Sequence, residues 1–442
     1  MNEVFGIGGR NAGEENAVDH AGVTGVEQAE GGAVAGLCGA DEGVVGGGRA
    51  VGRGHREETR AGRAEFEKCG HARCMRLRRF SWIDVEDGAS VNRGSIKAKR
   101  VEKGKSWRSA GMEKKVKEFE PHRWLRNGHA QTMAGAFARR TFAMPKGEER
   151  LFRVDAETEV KGVCHWQPGK PRDLPVIVVV HGLEGSCDSH YSRGIANKAW
   201  ARGFHAVRMN QRNCGGTEGL TPTLYNSGLS GDYRAVLLQL MEEGFEEIFF
   251  VGYSMGGNLV TKMAGEWGVN APKELKGVAV VCPALDLSAC ADALEKRSNY
   301  LYQRHFVKNL MARYGRKAEL FPERYRRDGF GTIRTVREFD NEITAPCFGF
   351  EDAEEYYRAA SAKKVIGKVV VPLLVLTAQD DPFVPYELFL RVQVEENSCV
   401  RFVAPAHGGH CGFISRFAGA ERFWAEERIA EFVEQRSKKA RR

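Results

Sequence analysis

Ile248 to Trp267, IFFVGYSMGGNLVTKMAGEW, decides the fold. Ile248, Phe249, Phe250 and Val251 form a short run of bulky apolar residues that reads as a buried strand. After the glycines, Leu259, Met263 and Trp267 recur at helical spacing. Between strand and helix lies G-x-S-x-G, from Gly252 through Ser254 to Gly256. A serine in so sharp a turn takes a strained backbone angle, and small flanking residues let the chain close around it. The turn lifts the hydroxyl clear of the sheet and sets the Met255 N–H and the positive end of the following helix beside whatever atom Ser254 approaches. The pentapeptide alone arises by chance in a glycine-rich chain. The strand before it, the helix after it and a third glycine at 257 make it specific.

Outward from that turn, apolar runs alternate with amphipathic ones. LFRVDA from Leu151, VKGVCHW, Val176 to Val180, Phe204 to Met209, Val278 to Cys282, Leu373 to Leu376 and Val400 to Val403 read as strands. Tyr191 to Arg202 and Asp232 to Glu243 read as helices. This order predicts an α/β fold, a mainly parallel, doubly wound sheet whose strand ends gather the ligand-binding loops on one edge. The connection from about 284 to 370 is too long for a simple crossover. It holds a helical stretch, SNYLYQRHFVKNLMARYG, with Leu301, His305/Phe306, Leu310 and Tyr314 on one face, and is expected to form a helical cap.

A serine hydroxyl is a poor nucleophile at neutral pH and needs a base in hydrogen-bond reach and an acid to orient that base. QDDPFVP follows the strand at Leu373, and HGGHCGF follows the one at Val400. Asp381 is favoured over Asp380, and His410, between Gly408-Gly409 and Cys411-Gly412, over His407. His181-Gly182-Leu183 follows the buried strand at Val176 and offers the Leu183 N–H beside that of Met255 as an oxyanion hole. His181 itself is expected to hold its loop by hydrogen bonding.

The formal charge of +8 is unevenly placed. Residues 1 to 50 are acidic, 51 to 111 basic, and the terminal SKKARR carries four positive charges; the rest is nearly balanced, which argues against a nucleic-acid partner. Residues 1–111 are glycine-rich with no sustained period, and are expected to be disordered or to precede a native start at Met112. Cys69, His71 and Cys74 match no usual zinc ligand set. The eleven cysteines follow no regular spacing, which suggests reduced thiols in the cytoplasm. No apolar run is long enough to cross a bilayer, and no membrane anchor is expected.

WLRNGHAQT (Trp124 to Thr132), HGLEGSCDSHY, MNQRNCGGTEG, YNSGLSGD, GYSMGGN, REFDNEITAPCFGFEDAEEYYRAAS, DDPFVP and GGHCGF together carry a family likeness. The chain resembles the YheT-like branch of the α/β-hydrolase superfamily, which also includes the plant embryogenesis-associated proteins and the animal phospholipase-like members. The likeness covers residues 115 to 433. It implies an α/β-hydrolase domain over 112–436, Ser254 as nucleophile, Asp381 as orienting acid and His410 as base, in agreement with the chemistry above. The activity expected is a serine esterase acting on carboxylic esters of short to medium or lipid-like acyl chains. The same residues would serve a thioesterase, amidase or lipase, or survive in a silent scaffold that binds a lipid or a partner. No metal or organic cofactor is implied. Gly128, Ala130 and Gln211 depart from the family's usual proline, larger apolar residue and aromatic, departures expected to touch the pocket's entrance. Asp232, in the family's SG-x-x-x-D pattern, is expected to cap the helix after it.

Overall fold

The computed structural model describes residues 116–326, 330–392 and 394–438. The expectations for residues 1–111, including Cys69, His71 and Cys74, and for most of the basic tail lie outside the described residues.

Eight strands form one sheet in the order β1-β2-β4-β3-β5-β6-β7-β8. They are β1 (Glu148–Arg153), β2 (Glu159–His165), β3 (Val176–Val180), β4 (His205–Met209), β5 (Ile248–Tyr253), β6 (Leu275–Val281), β7 (Leu373–Leu376) and β8 (Val400–Val403). From β4 to β8 every neighbour is parallel, and at the other edge β2 alone runs against the sheet, antiparallel to both β1 and β4. Burial explains the choice of residues: VIVVV in β3 is covered on both faces, and each of its five side chains is buried. β-Branched residues suit such a strand because their stiff side chains pack well on a pleated surface and leave no polar group to satisfy.

Helices cover both faces. On one side α2 (His190–Ala201) packs against α8 (Trp424–Arg436), while α3 (Ser230–Glu242) and α4 (Met255–Trp267) pair on the other. α1 (Gly128–Phe137) precedes the sheet. The long connection between β6 and β7 holds α5 (Leu287–Leu294), α6 (Tyr300–Leu320) and α7 (Ala353–Ala360). Among the described residues, no helix is long and apolar enough to cross a membrane.

Two expectations are corrected here. The buried stripe of α6 runs through Gln303, Val307, Leu310, Arg313, Tyr314 and Lys317, whereas Leu301 is 71% exposed and His305 is also exposed. Three of those six are polar and bonded beneath the helix: the Lys317 ammonium, for one, donates to the carbonyls of Glu218 and Thr221. A reading that seeks only apolar residues therefore places Leu310 and Tyr314 correctly but misplaces the start of the stripe and misses its polar half. Asp232 is not a cap either. It lies inside α3, and its buried carboxylate accepts two hydrogen bonds from Arg212, at 2.8 and 2.6 Å.

Candidate active site

Ser254 stands between β5 and α4 with φ 53° and ψ −118°. L-residues rarely hold that conformation, and here close packing enforces it. A Cβ on Gly252 would meet the Gly256 carbonyl, one on Gly256 would meet the Val180 and His181 carbonyls, and one on Gly257 would fall 2.8 Å from Pro283. Each small residue of the motif is thus required by a backbone or ring lying against it. The Ser254 N–H donates to Val281 O at 2.9 Å, which pins the turn to the end of β6. Met255 opens α4, where an amide has no carbonyl one turn earlier to bond.

The loop after β3 closes on that turn: a Cβ on Gly182 would lie 3.0 Å from the Ser254 Cβ. His181, fully buried, holds this loop. Its Nδ1 hydrogen bonds with Gly182 O at 2.7 Å, and its Nε2 accepts from the Gln211 N–H at 3.1 Å, so Nδ1 carries the proton. Burial lowers His181 to about 4, well under the ordinary histidine value, so the ring is neutral. Gln211 also donates from its amide to His181 O at 2.6 Å. This departure from the family pattern therefore buttresses the loop after β3. The Tyr191 hydroxyl accepts from the Gly182 N–H at 2.9 Å.

The two loops after β7 and β8 meet. His410 Nδ1 lies 2.9 Å from Asp381 Oδ2. Asp381, its side chain wholly buried, also accepts from the N–H groups of Phe383 and Val384 at 2.8 and 3.0 Å, so its carboxylate is fixed before it touches the ring. Asp380 turns elsewhere and accepts from the Gly409 N–H at 2.8 Å, with His407 at 3.3 Å. The histidine loop and the serine turn converge on one atom: Val281 O accepts from Ser254 and also, at 3.8 Å, from the Cys411 thiol.

Several residues in this arrangement carried no chemical signal in the sequence. The Thr132 hydroxyl accepts from the His410 N–H at 2.9 Å, and the Gln131 amide oxygen accepts from the Ile414 N–H at 2.9 Å. A Cβ on Gly128 would collide with Asp380 O. The first turns of α1 thus support both the Asp381 loop and the His410 loop. α6 reaches both sides of the site. Near its start Tyr302 and Phe306 pack on Phe383, whose ring centroid is 4.7 Å from that of His410. Further along, Arg313 pairs with Glu184 at 3.1 Å, one residue beyond Leu183, with side-chain exposures of 10% and 5%. The Tyr225 hydroxyl completes this buried group by donating to Glu184 at 2.6 Å.

The sheet order and the serine turn define an α/β hydrolase, and the family described as alpha/beta hydrolase fold matches residues 175–417. The chain belongs to that superfamily, in its YheT-like branch. It is 32% identical over 319 residues to Putative esterase YheT of Escherichia coli, covering 72% of this chain and 93% of the relative. It is also 30% identical over 271 residues to a Monoacylglycerol lipase of Saccharomyces cerevisiae, covering 59% of each. Phospholipase ABHD3 of Mus musculus is 27% identical over 263 residues, covering 59% of this chain and 63% of the relative.

Proposed function

We propose that this α/β hydrolase is a serine esterase, cleaving carboxylic esters through an acyl-enzyme on Ser254. The observation that carries the reading is the 2.9 Å contact of His410 Nδ1, on the loop that shares Val281 O with the strained serine turn, with a carboxylate that has no exposed side-chain surface. Asp381 fixes the tautomer with the proton on Nδ1, leaving the Nε2 lone pair to accept the Ser254 proton as the oxygen attacks the acyl carbon. The N–H groups of Met255 and Leu183 hold the developing oxyanion. His410 then protonates the leaving alcohol, and water, deprotonated by the same ring, releases the acid. The names of the lipase and phospholipase relatives, with the Tyr302, Phe306 and Phe383 rings near His410, favour a lipid-like acyl chain over a polar one.

A fluorophosphonate probe on the full chain is expected to label one site, mapped by peptide mass to Ser254, and to be displaced by fatty acyl esters. Absence of label favours a silent scaffold, and label on another residue removes Ser254 from the mechanism.

The pH profile gives a second test. Burial opposes a charged imidazole at position 410, but the Asp381 carboxylate and the charge and hydrogen bond of the neighbouring Cys411 thiolate outweigh it and hold His410 well above its ordinary 6.5. A base must be unprotonated to act, so kcat/KM is expected to rise with pH through a point above 6.5, and Cys411→Ala is expected to move that rise to lower pH. An acid limb centred at or below 6.5 in the chelator-treated native chain contradicts this assignment.

A further inference from the structure

Ester hydrolysis gives no bond-making step to the two cysteines beside His410. Cys282 follows β6 directly, and Cys411 follows His410. Their Sγ atoms and a ring nitrogen of His410 all lie within 4.8 Å of one another. Cys282 is fully buried, and Cys411 is half-buried. Both hold left-handed backbone angles, φ 46° and 61°, that non-glycine residues seldom adopt, so the main chain is strained at the two points that aim these thiols. The loops are also tied together. The Cys411 N–H donates to Cys282 Sγ at 3.4 Å, and the Cys282 thiol donates to Gly409 O at 3.6 Å.

We propose that Cys282, Cys411 and His410 form an inhibitory site for a thiophilic divalent cation of the zinc class. Two sulfurs and an imidazole are a soft to borderline donor set that zinc and cadmium favour over magnesium or calcium. Zinc bonds of about 2.3 Å to sulfur and 2.0–2.1 Å to nitrogen place tetrahedral ligand atoms between roughly 3.3 and 3.8 Å apart. Separations of up to 4.8 Å exceed that by about 1 Å, the gap that binding has to close. Binding releases two protons to solvent, that of the Cys282 thiol and the one that Cys411 and His410 hold between them, and involves no redox step. Asp381 already occupies Nδ1, so the nitrogen left to ligate is Nε2, and a carboxylate on the far nitrogen is the support that metal-bound histidines commonly have. The fourth position falls to water. A cation here consumes the lone pair that the proposed hydrolysis needs, and so switches the enzyme off. Metal binding itself does not depend on the esterase reading; only its inhibitory consequence does.

The test uses the full chain freed of metal by a chelator. Cd²⁺ is followed by its thiolate charge-transfer absorption, and Zn²⁺ by loss of ester turnover relative to each variant's own metal-free rate. Because other cysteines can take up Cd²⁺, the readout is the difference between native chain, Cys282→Ser and Cys411→Ser, with Cys164→Ser in β2 as a control outside the trio. Both test variants are expected to lose a one-equivalent share of the absorption and to need about tenfold or more Zn²⁺ for half-inhibition, and chelator restores the native rate. Unchanged absorption and unchanged Zn²⁺ sensitivity in both overturn the site, as does an equal loss in Cys164→Ser. Should Cys282→Ser fail to fold, half-buried Cys411 carries the comparison. If the metal-free chain neither turns over ester nor takes a fluorophosphonate, the esterase reading fails, while the Cd²⁺ absorption still decides the metal site.

Discussion

Ser254→Ala is expected to lower ester turnover about a million-fold, the scale seen when a serine hydrolase loses its nucleophile. Alanine keeps the Cβ and therefore the same strained turn at φ 53°, so the fold should survive and the loss should fall on the chemical step. The measurement is p-nitrophenyl ester turnover together with a melting temperature. Turnover within tenfold of the native chain, in a folded protein, would move the nucleophile elsewhere. Such a result would also undo the acyl-enzyme, since no other hydroxyl stands on a turn of this kind among the described residues.

The second large effect separates two adjacent aspartates. Asp381→Asn is expected to cost about 10⁴-fold in kcat, because an amide presents an N–H to His410 Nδ1 and selects the wrong tautomer. The asparagine oxygen can still accept from Phe383 and Val384, so the loop keeps its shape. Asp380→Asn should cost far less. Its oxygen still accepts from the Gly409 N–H, and its neighbour His407 is 39% exposed at the side chain. Equal losses in the two variants would mean that loop geometry, not the orientation of one imidazole, accounts for the effect.

Much of the framework could be read from local pattern because each strand solves its own problem. VIVVV must be buried on both faces, and IFFV must lead into a turn that only small residues permit. The same holds for the loops after β7 and β8, where short polar stretches follow apolar runs. Other features lack a local signature. Gln303, Arg313 and Lys317 lie on the buried face of α6 since their partners, such as Glu184 and the Thr221 carbonyl, come from distant loops. Asp232 at the start of a helix suggests a cap until Arg212, twenty residues earlier, takes both its oxygens. Thr132 and Cys282 act through backbone and thiol contacts across 278 and 129 positions of chain. No window of sequence contains both ends of such a bond.

The ion pair between Arg313 and Glu184 joins the long helix of the insertion to the loop that would cradle the oxyanion. Parting two charges that have left water is costly unless both regain solvent together. A swing of that helix to admit a bulky ester would therefore unseat the Leu183 segment at the same moment. On the proposed mechanism, admission and reactivity would then be mutually exclusive: a half-entered substrate would meet a disarmed enzyme, and only complete engulfment would arm it.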